Sequence, residues 1–289
     1  MDTFEQTLFL DKSAGTKKNY LGNLRRLNNG KEIKNVTFLK DTAKVLEIIN
    51  KVENPSTRKN YYIALLALLT GNKSYKKYYD IYNEKLISLN KVLNVTPYKS
   101  ESTLEKCSVP MEDLLQRQKL LYSRINFKIL KKNVTTEILD DLQKCIIVSL
   151  YTLMSPRRNI DYTECKIGEP KDDNFNYYDK FKITFNTFKT AGVYGQQIVD
   201  VPDEIGKLIQ LRQRLSPSEW LLCNTRGDKL SSQLMTKYVS DAFQMDIGSS
   251  AIRNISATEL FGGNKAEMQK VATEMGTSVG MLAKIYINN

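Results

Sequence analysis

Four residues in the second half of the chain have side chains that together can break a phosphodiester: Arg158 in SPRRNIDY, Lys189 in FKTAGVYGQQIVDVP, Arg253 in SSAIRNISATEL, and Tyr286, three residues from the end. Two guanidinium groups can fork onto the non-bridging oxygens of one phosphate and neutralise the charge that builds as phosphorus becomes pentavalent. A tyrosine hydroxyl can attack the phosphorus, and a lysine ammonium can protonate the departing 5′ oxygen. Such a set works without a metal or cofactor. Its product, a 3′-phosphotyrosyl link, keeps the energy of the broken bond, so religation needs no ATP. Taken singly, each residue reads as a surface charge or a packing side chain; order and context lift the set.

Those side chains need elements to hold them. A helix from Thr135 to about Leu153 delivers Arg158 just past its end, beyond Pro156. Segments Tyr178 to Phe188 and Gly195 to Val201 alternate as strands around a turn at Ala191-Gly192, a hairpin that carries Lys189. Helices are predicted over Met111 to Lys131, Pro202 to Leu215, Ser232 to Phe243, Ser249 to Leu260, which holds Arg253, and Lys265 to Met275. Tyr286 rides on the last turns. The first third reads as four short helices: Thr16 to Leu27, a stretch after the N-cap candidate Asp41, a segment capped by Ser56 and ending at Gly71, and Ser74 to Leu93. Around Pro97 lies a polar cluster with little periodicity, taken as a linker.

In order and type this pattern resembles the tyrosine recombinases, the phage-type integrases. Their pattern runs from an Arg followed by an acidic residue, through a Lys on a β-hairpin, a His-x-x-Arg box and a His or Trp, to the Tyr. Here Asp161 follows Arg158 by three residues, Arg253 lies in Ser250-Ala-Ile-Arg253, and Thr277 in MGTS falls nine residues before Tyr286, where the family has the His of LGHS. IRNISATEL keeps the apolar, Arg and small positions of the family's second box. SPRRNIDY resembles recombinases of large DNA viruses and mobile elements. The resemblance implies a mainly α fold with a small β-sheet (α+β): residues 1–95 a helical core-binding DNA clamp, 96–109 a linker, 110–289 the catalytic domain. It implies Arg158, Lys189, Arg253 and Tyr286 as catalytic residues, with Ser250, Thr277 and Arg157 as phosphate-binding or supporting ones, and Arg158 rather than Arg157 as the first arginine because of the offset to Asp161.

One departure is large: the chain contains no histidine. Ser250 and Thr277 stand where the family has imidazoles. A hydroxyl can donate a hydrogen bond to a phosphate oxygen but cannot carry a proton at neutral pH. Lys189 therefore has to act alone as proton donor, and a tyrosine, with a reference pKa of roughly 10, needs activation by the arginine field or by water. A type IB topoisomerase would use the same chemistry, and a recombinase-derived DNA-binding protein would use none. The helical first module favours recombination over relaxation.

Composition agrees. The 289 residues exceed one ordinary domain. The net charge is +11, and residues 1–100 hold 18 Lys and Arg against 9 Asp and Glu while the rest carry 25 against 23, so the basic grip sits in the first third. Double-stranded DNA is the expected partner, with a dimer or tetramer on it. Cys107, Cys145, Cys165 and Cys223 show no metal-ligand spacing and read as reduced thiols of an intracellular protein, in cytoplasm or nucleus. No apolar run approaches the roughly 20 residues of a membrane span. Only Ile287, Asn288 and Asn289 follow Tyr286, where many family members continue into a helix that packs on a neighbouring protomer; either such contacts arise elsewhere or the natural chain is longer.

Overall fold

The computed structural model describes residues 4–95, 101–129, 135–260 and 265–282. The chain divides into two compact units, Met1–Tyr98 and Lys99–Asn289, each with its own apolar core.

The first unit holds α1 (Ala14–Leu27), α2 (Thr42–Asn50), α3 (Pro55–Leu69) and α4 (Lys76–Val95). α1 buries Leu24 and Leu27, three residues apart on one face, and leaves Lys18, Arg25 and Arg26 exposed. Asp41 caps α2 by accepting from the Lys44 amide. The cap of α3 is Asn54, not Ser56: the Asn54 side chain accepts from the amides of Ser56 and Thr57, and Pro55 takes the first helical position, where its missing N–H leaves nothing unpaired. Tyr82 ties α4 to the core by donating to the Leu39 carbonyl at 2.8 Å.

The second unit begins with α5 (Glu101–Cys107), a helix inside the segment expected to be a linker. Its polar composition hides the residues that dock it: Cys107 is buried in the second core, and Lys106 pairs with Asp246 at 2.7 Å. Then follow α6 (Met111–Ile129) and α7 (Thr136–Thr152), the central helix. From Cys145 to Thr152 every residue of α7 is buried, the mark of a helix covered on all sides; α6, α10 (Asp203–Leu215), α11 (Ser232–Phe243) and α12 (Ser249–Leu260) pack around it. Short α8 (Asn159–Thr163) leads into a four-stranded sheet of β1 (Cys165–Ile167), β2 (Asn176–Asp179), β3 (Lys182–Phe185) and β4 (Gln197–Asp200), in that order across the sheet. β1 and β2 are parallel; the other pairs are antiparallel. One helical turn, α9 (Ala191–Tyr194), lies in the β3–β4 connection, and α13 (Lys265–Glu274) and α14 (Val279–Met281) follow α12.

The strand expected over Tyr178 to Phe188 is broken at Lys180 and Phe181, which both take positive φ, 46° and 62°. A two-residue hairpin of this hand normally uses Asn-Gly or Gly-Gly, so Lys-Phe gives no signal of it. The turn lays the Phe181 ring on α10 at Gly206, where a Cβ would sit 2.1 Å from the ring. Gly206→Ala is therefore expected to destabilise the fold by about 1–3 kcal/mol, the scale of overpacking a filled contact, as a lowered midpoint in urea.

All four cysteines are free and buried. Burial pushes the Cys145 thiol up to about 12, which makes it a packing group and not a nucleophile. Among the described residues, no helix is long and apolar enough to cross a membrane.

Candidate active site

α7 stops at Thr152, and an extended stretch through Pro156 brings Arg157 and Arg158 to the start of α8, where Arg158 is the N-cap residue. α13 ends in a left-handed glycine: Gly276 has φ 62°, the Thr277 amide donates to Ala272, and the Gly276 amide donates to Thr273. This is a Schellman ending. It leaves the carbonyls of Met275 and Gly276 to accept from elsewhere, and both accept from residues of the candidate site.

Arg253, in the middle of α12 and 2% exposed, donates through Nε to the Pro156 carbonyl at 3.2 Å and through Nη2 to the Met275 carbonyl at 3.1 Å. Buried small residues on the same helix, Ala251, Ser256 and Ala257, let it sit close to its neighbours. Arg158 donates through Nη1 to the Gly276 carbonyl at 2.9 Å. The same carbonyl accepts from the Thr190 hydroxyl at 3.0 Å, and Thr190 is the residue after Lys189. Segments far apart in sequence thus meet on one turn.

Arg157 plays a different part from Arg158. It is 1% exposed, and its Nε lies 3.2 Å from the Asp161 carboxylate. Asp161, the acidic residue three positions after Arg158, is thus in ion-pair contact with Arg157. Burial raises the Asp161 carboxyl above its ordinary range, and the adjacent Arg157 charge opposes that rise. Removing one member of a buried pair strands the other, so Asp161→Ala is expected to cost about 3–5 kcal/mol, measured as a loss of stability in chemical denaturation, with Arg158→Ala, on a partly exposed residue, costing far less.

Arg158 and Lys189 have no carboxylate within ion-pair distance among the described residues, and Lys189 is exposed. A guanidinium held at this turn, with an exposed lysine next to Thr190 in the chain, suits an anion. Thr277 is buried at that turn. Ser250 is exposed at the start of α12, and among the described residues only its carbonyl takes part, accepting from Asn254 at 2.7 Å. Tyr286 lies outside the described residues.

Other supports had no signature in the sequence. Buried Asn176 accepts from the amides of Asn186 and Thr187 at 2.9 and 2.8 Å and donates to the carbonyls of Asp161 and Thr187, fixing the start of the β3–β4 connection against α8. Gln197 accepts from Arg157 at 2.9 Å. A buried amide is legible only once its partners are known.

No family model matches the sequence, and no curated protein matches it. Among solved structures, a lambda integrase (75–356) dimer bound to a COC′ core site aligns over 98% of this chain and 92% of its own, with a TM-score of 0.52 and 14% identity. A lambda integrase tetramer bound to a Holliday junction gives the same TM-score and identity over 96% of this chain and 74% of its own. The chain has the tyrosine-recombinase fold. An XerA recombinase also aligns, at 17% identity and a TM-score of 0.43 over 96% of this chain. The tyrosine-recombinase fold agrees with the expected mainly α architecture and its small sheet.

Proposed function

We propose that the protein is a site-specific DNA recombinase that cleaves and rejoins DNA through a 3′-phosphotyrosyl intermediate, serving the integration or excision of a mobile or viral element. The observation that carries this reading is the shared acceptor at Gly276: one carbonyl holds the Arg158 guanidinium and the Thr190 hydroxyl, so the first arginine and the segment bearing Lys189 are set against one another. Arg253 is tied to the adjacent carbonyl. In this reading Arg158 and Arg253 bind the scissile phosphate and stabilise its transition state, Lys189 protonates the 5′ oxygen, and Tyr286 forms the bond to phosphorus. Thr277 and Ser250 stand at the positions of the family's imidazoles as hydrogen-bond donors. Arg157 has the supporting role.

The basic first unit and the solved complexes of lambda integrase with DNA, as dimer and tetramer, support double-stranded DNA as partner and a homo-oligomer on it. Its place of action is then wherever that DNA resides inside the cell. The test is incubation with supercoiled plasmid and with genomic fragments, stopped by denaturant in mid-reaction. Covalent complexes confined to particular sequences are expected. Relaxation with attachment at scattered sites would indicate a type IB topoisomerase, and binding with no attachment a non-catalytic descendant.

A further inference from the structure

The Arg157 side chain touches both ends of the segment that carries Lys189. Its guanidinium carbon lies 3.8 Å from the ring centre of Phe185, the last residue of β3, and 4.7 Å from that of Phe188, next to Lys189. Its Nη1 donates at 2.9 Å to Gln197, the first residue of β4. One planar group therefore spans the mouth of the β3–β4 connection. On its third side is Gly276, where a Cβ would come within 2.4 Å of Nη2 and 3.3 Å of the Phe188 ring. Phe188 packs against both Arg157 and Gly276, and Thr190 is bonded to the Gly276 carbonyl. Lys189, exposed, stands between two anchored neighbours.

Arg157 itself is 1% exposed and paired with Asp161, and its Nη2, against Gly276, has no hydrogen-bond partner among the described residues. An apolar side chain would fill the same space without the cost of burying a charge. What such a side chain lacks is a flat face for two rings combined with an in-plane donor directed at β4. We propose that Arg157 is the positioning residue for Lys189, holding the β3–β4 connection so that the ammonium reaches the departing 5′ oxygen.

This proposal rests on the reading of the protein as a strand-transfer enzyme with Lys189 as proton donor. In that step the Tyr286 oxygen–phosphorus bond forms, the phosphorus–5′ oxygen bond breaks, the tyrosine proton goes to solvent and the Lys189 proton goes to the 5′ oxygen. A 5′ bridging sulfur leaves as thiolate and needs no proton, so it separates defects in Lys189 from defects in the phosphate clamp.

The experiment uses the full chain and a suicide duplex carrying a sequence captured covalently by the wild-type protein, made with either a 5′ bridging oxygen or a 5′ bridging sulfur. Lys189→Ala, Arg157→Lys and Phe188→Leu are compared with wild type. Arg157→Lys and Phe188→Leu are expected to slow cleavage of the oxygen duplex by on the order of 10- to 100-fold, the scale for a misplaced group, and to recover on the sulfur duplex as Lys189→Ala does. If Arg157→Lys is unfolded in a thermal melt, Phe188→Leu, which strands no charge, decides the matter. A slowing shared equally by both duplexes, or no slowing on oxygen, overturns the proposal while leaving the enzyme reading intact. Lack of sulfur rescue in Lys189→Ala removes Lys189 as donor and the proposal with it. No covalent attachment by the wild type overturns the functional reading itself.

Discussion

Tyr286→Phe is expected to abolish the covalent protein–DNA complex on nicked or suicide duplexes and to leave duplex binding nearly unchanged. The substitution removes one oxygen, the proposed nucleophile. Charge attraction to DNA, by contrast, comes from many lysines and arginines, concentrated in the first unit where they outnumber acidic residues 18 to 9 over residues 1–100. The two effects therefore separate in one pair of measurements, a gel shift and a denaturing gel. A denaturation-resistant complex formed by Tyr286→Phe would assign the nucleophile to another residue.

The second large effect is in the clamp. Arg158→Ala is expected to lower the cleavage rate by on the order of 10²-fold or more, as for the loss of a preorganised contact to a developing oxyanion. Lysine at that position should not restore the rate, because it lacks the planar fork. Arg253→Ala should have an effect of the same order, but it also removes buried hydrogen bonds to Pro156 and Met275, so its rate must be read beside its stability. Arg158 is the cleaner probe: it is partly exposed, and its bond in the fold goes to Gly276. Arg157→Ala also reduces activity in this account, by releasing the β3–β4 connection that carries Lys189 and by stranding the Asp161 charge, so its rate, too, must be read per folded molecule. A folded Arg157→Ala with lost activity, beside a fully active Arg158→Ala, would shift the phosphate contact by one residue.

What the sequence revealed and what it hid follow from the range of the interactions. The helices are set by local pattern: the apolar spacing of Ser232–Phe243 and Ser249–Leu260 gives both elements with their ends, and Thr135 caps α7 through a hydroxyl accepting from the Ile138 amide. The order Arg158, Lys189, Arg253 is legible because residue types and their sequence are read directly from the chain. The hairpin at Lys180-Phe181 was hidden because its left-handed backbone is stabilised by tertiary contact with α10 at Gly206, not by turn residues. Helix α5 was hidden for a similar reason, being docked through Cys107. The Arg157–Asp161 ion pair was not legible, because spacing in sequence does not say which of two adjacent guanidiniums faces inward. The scaffold carbonyls of Met275 and Gly276 have no side-chain signature at all; Gly276 is marked only as a glycine, and its positive φ is what turns those carbonyls toward Arg253 and Arg158.

The most direct test of the account is the chemistry of the trapped link. The wild-type protein is denatured in mid-reaction with genomic DNA, the covalent complex is digested with protease and nuclease, and the nucleotide-bearing peptide is sequenced by mass spectrometry together with the DNA end attached to it. The account predicts a peptide containing Tyr286 joined through its phenolic oxygen to a 3′ phosphate, with a free 5′ hydroxyl on the other side of the break. A link at any other residue, or to a 5′ phosphate, would contradict it.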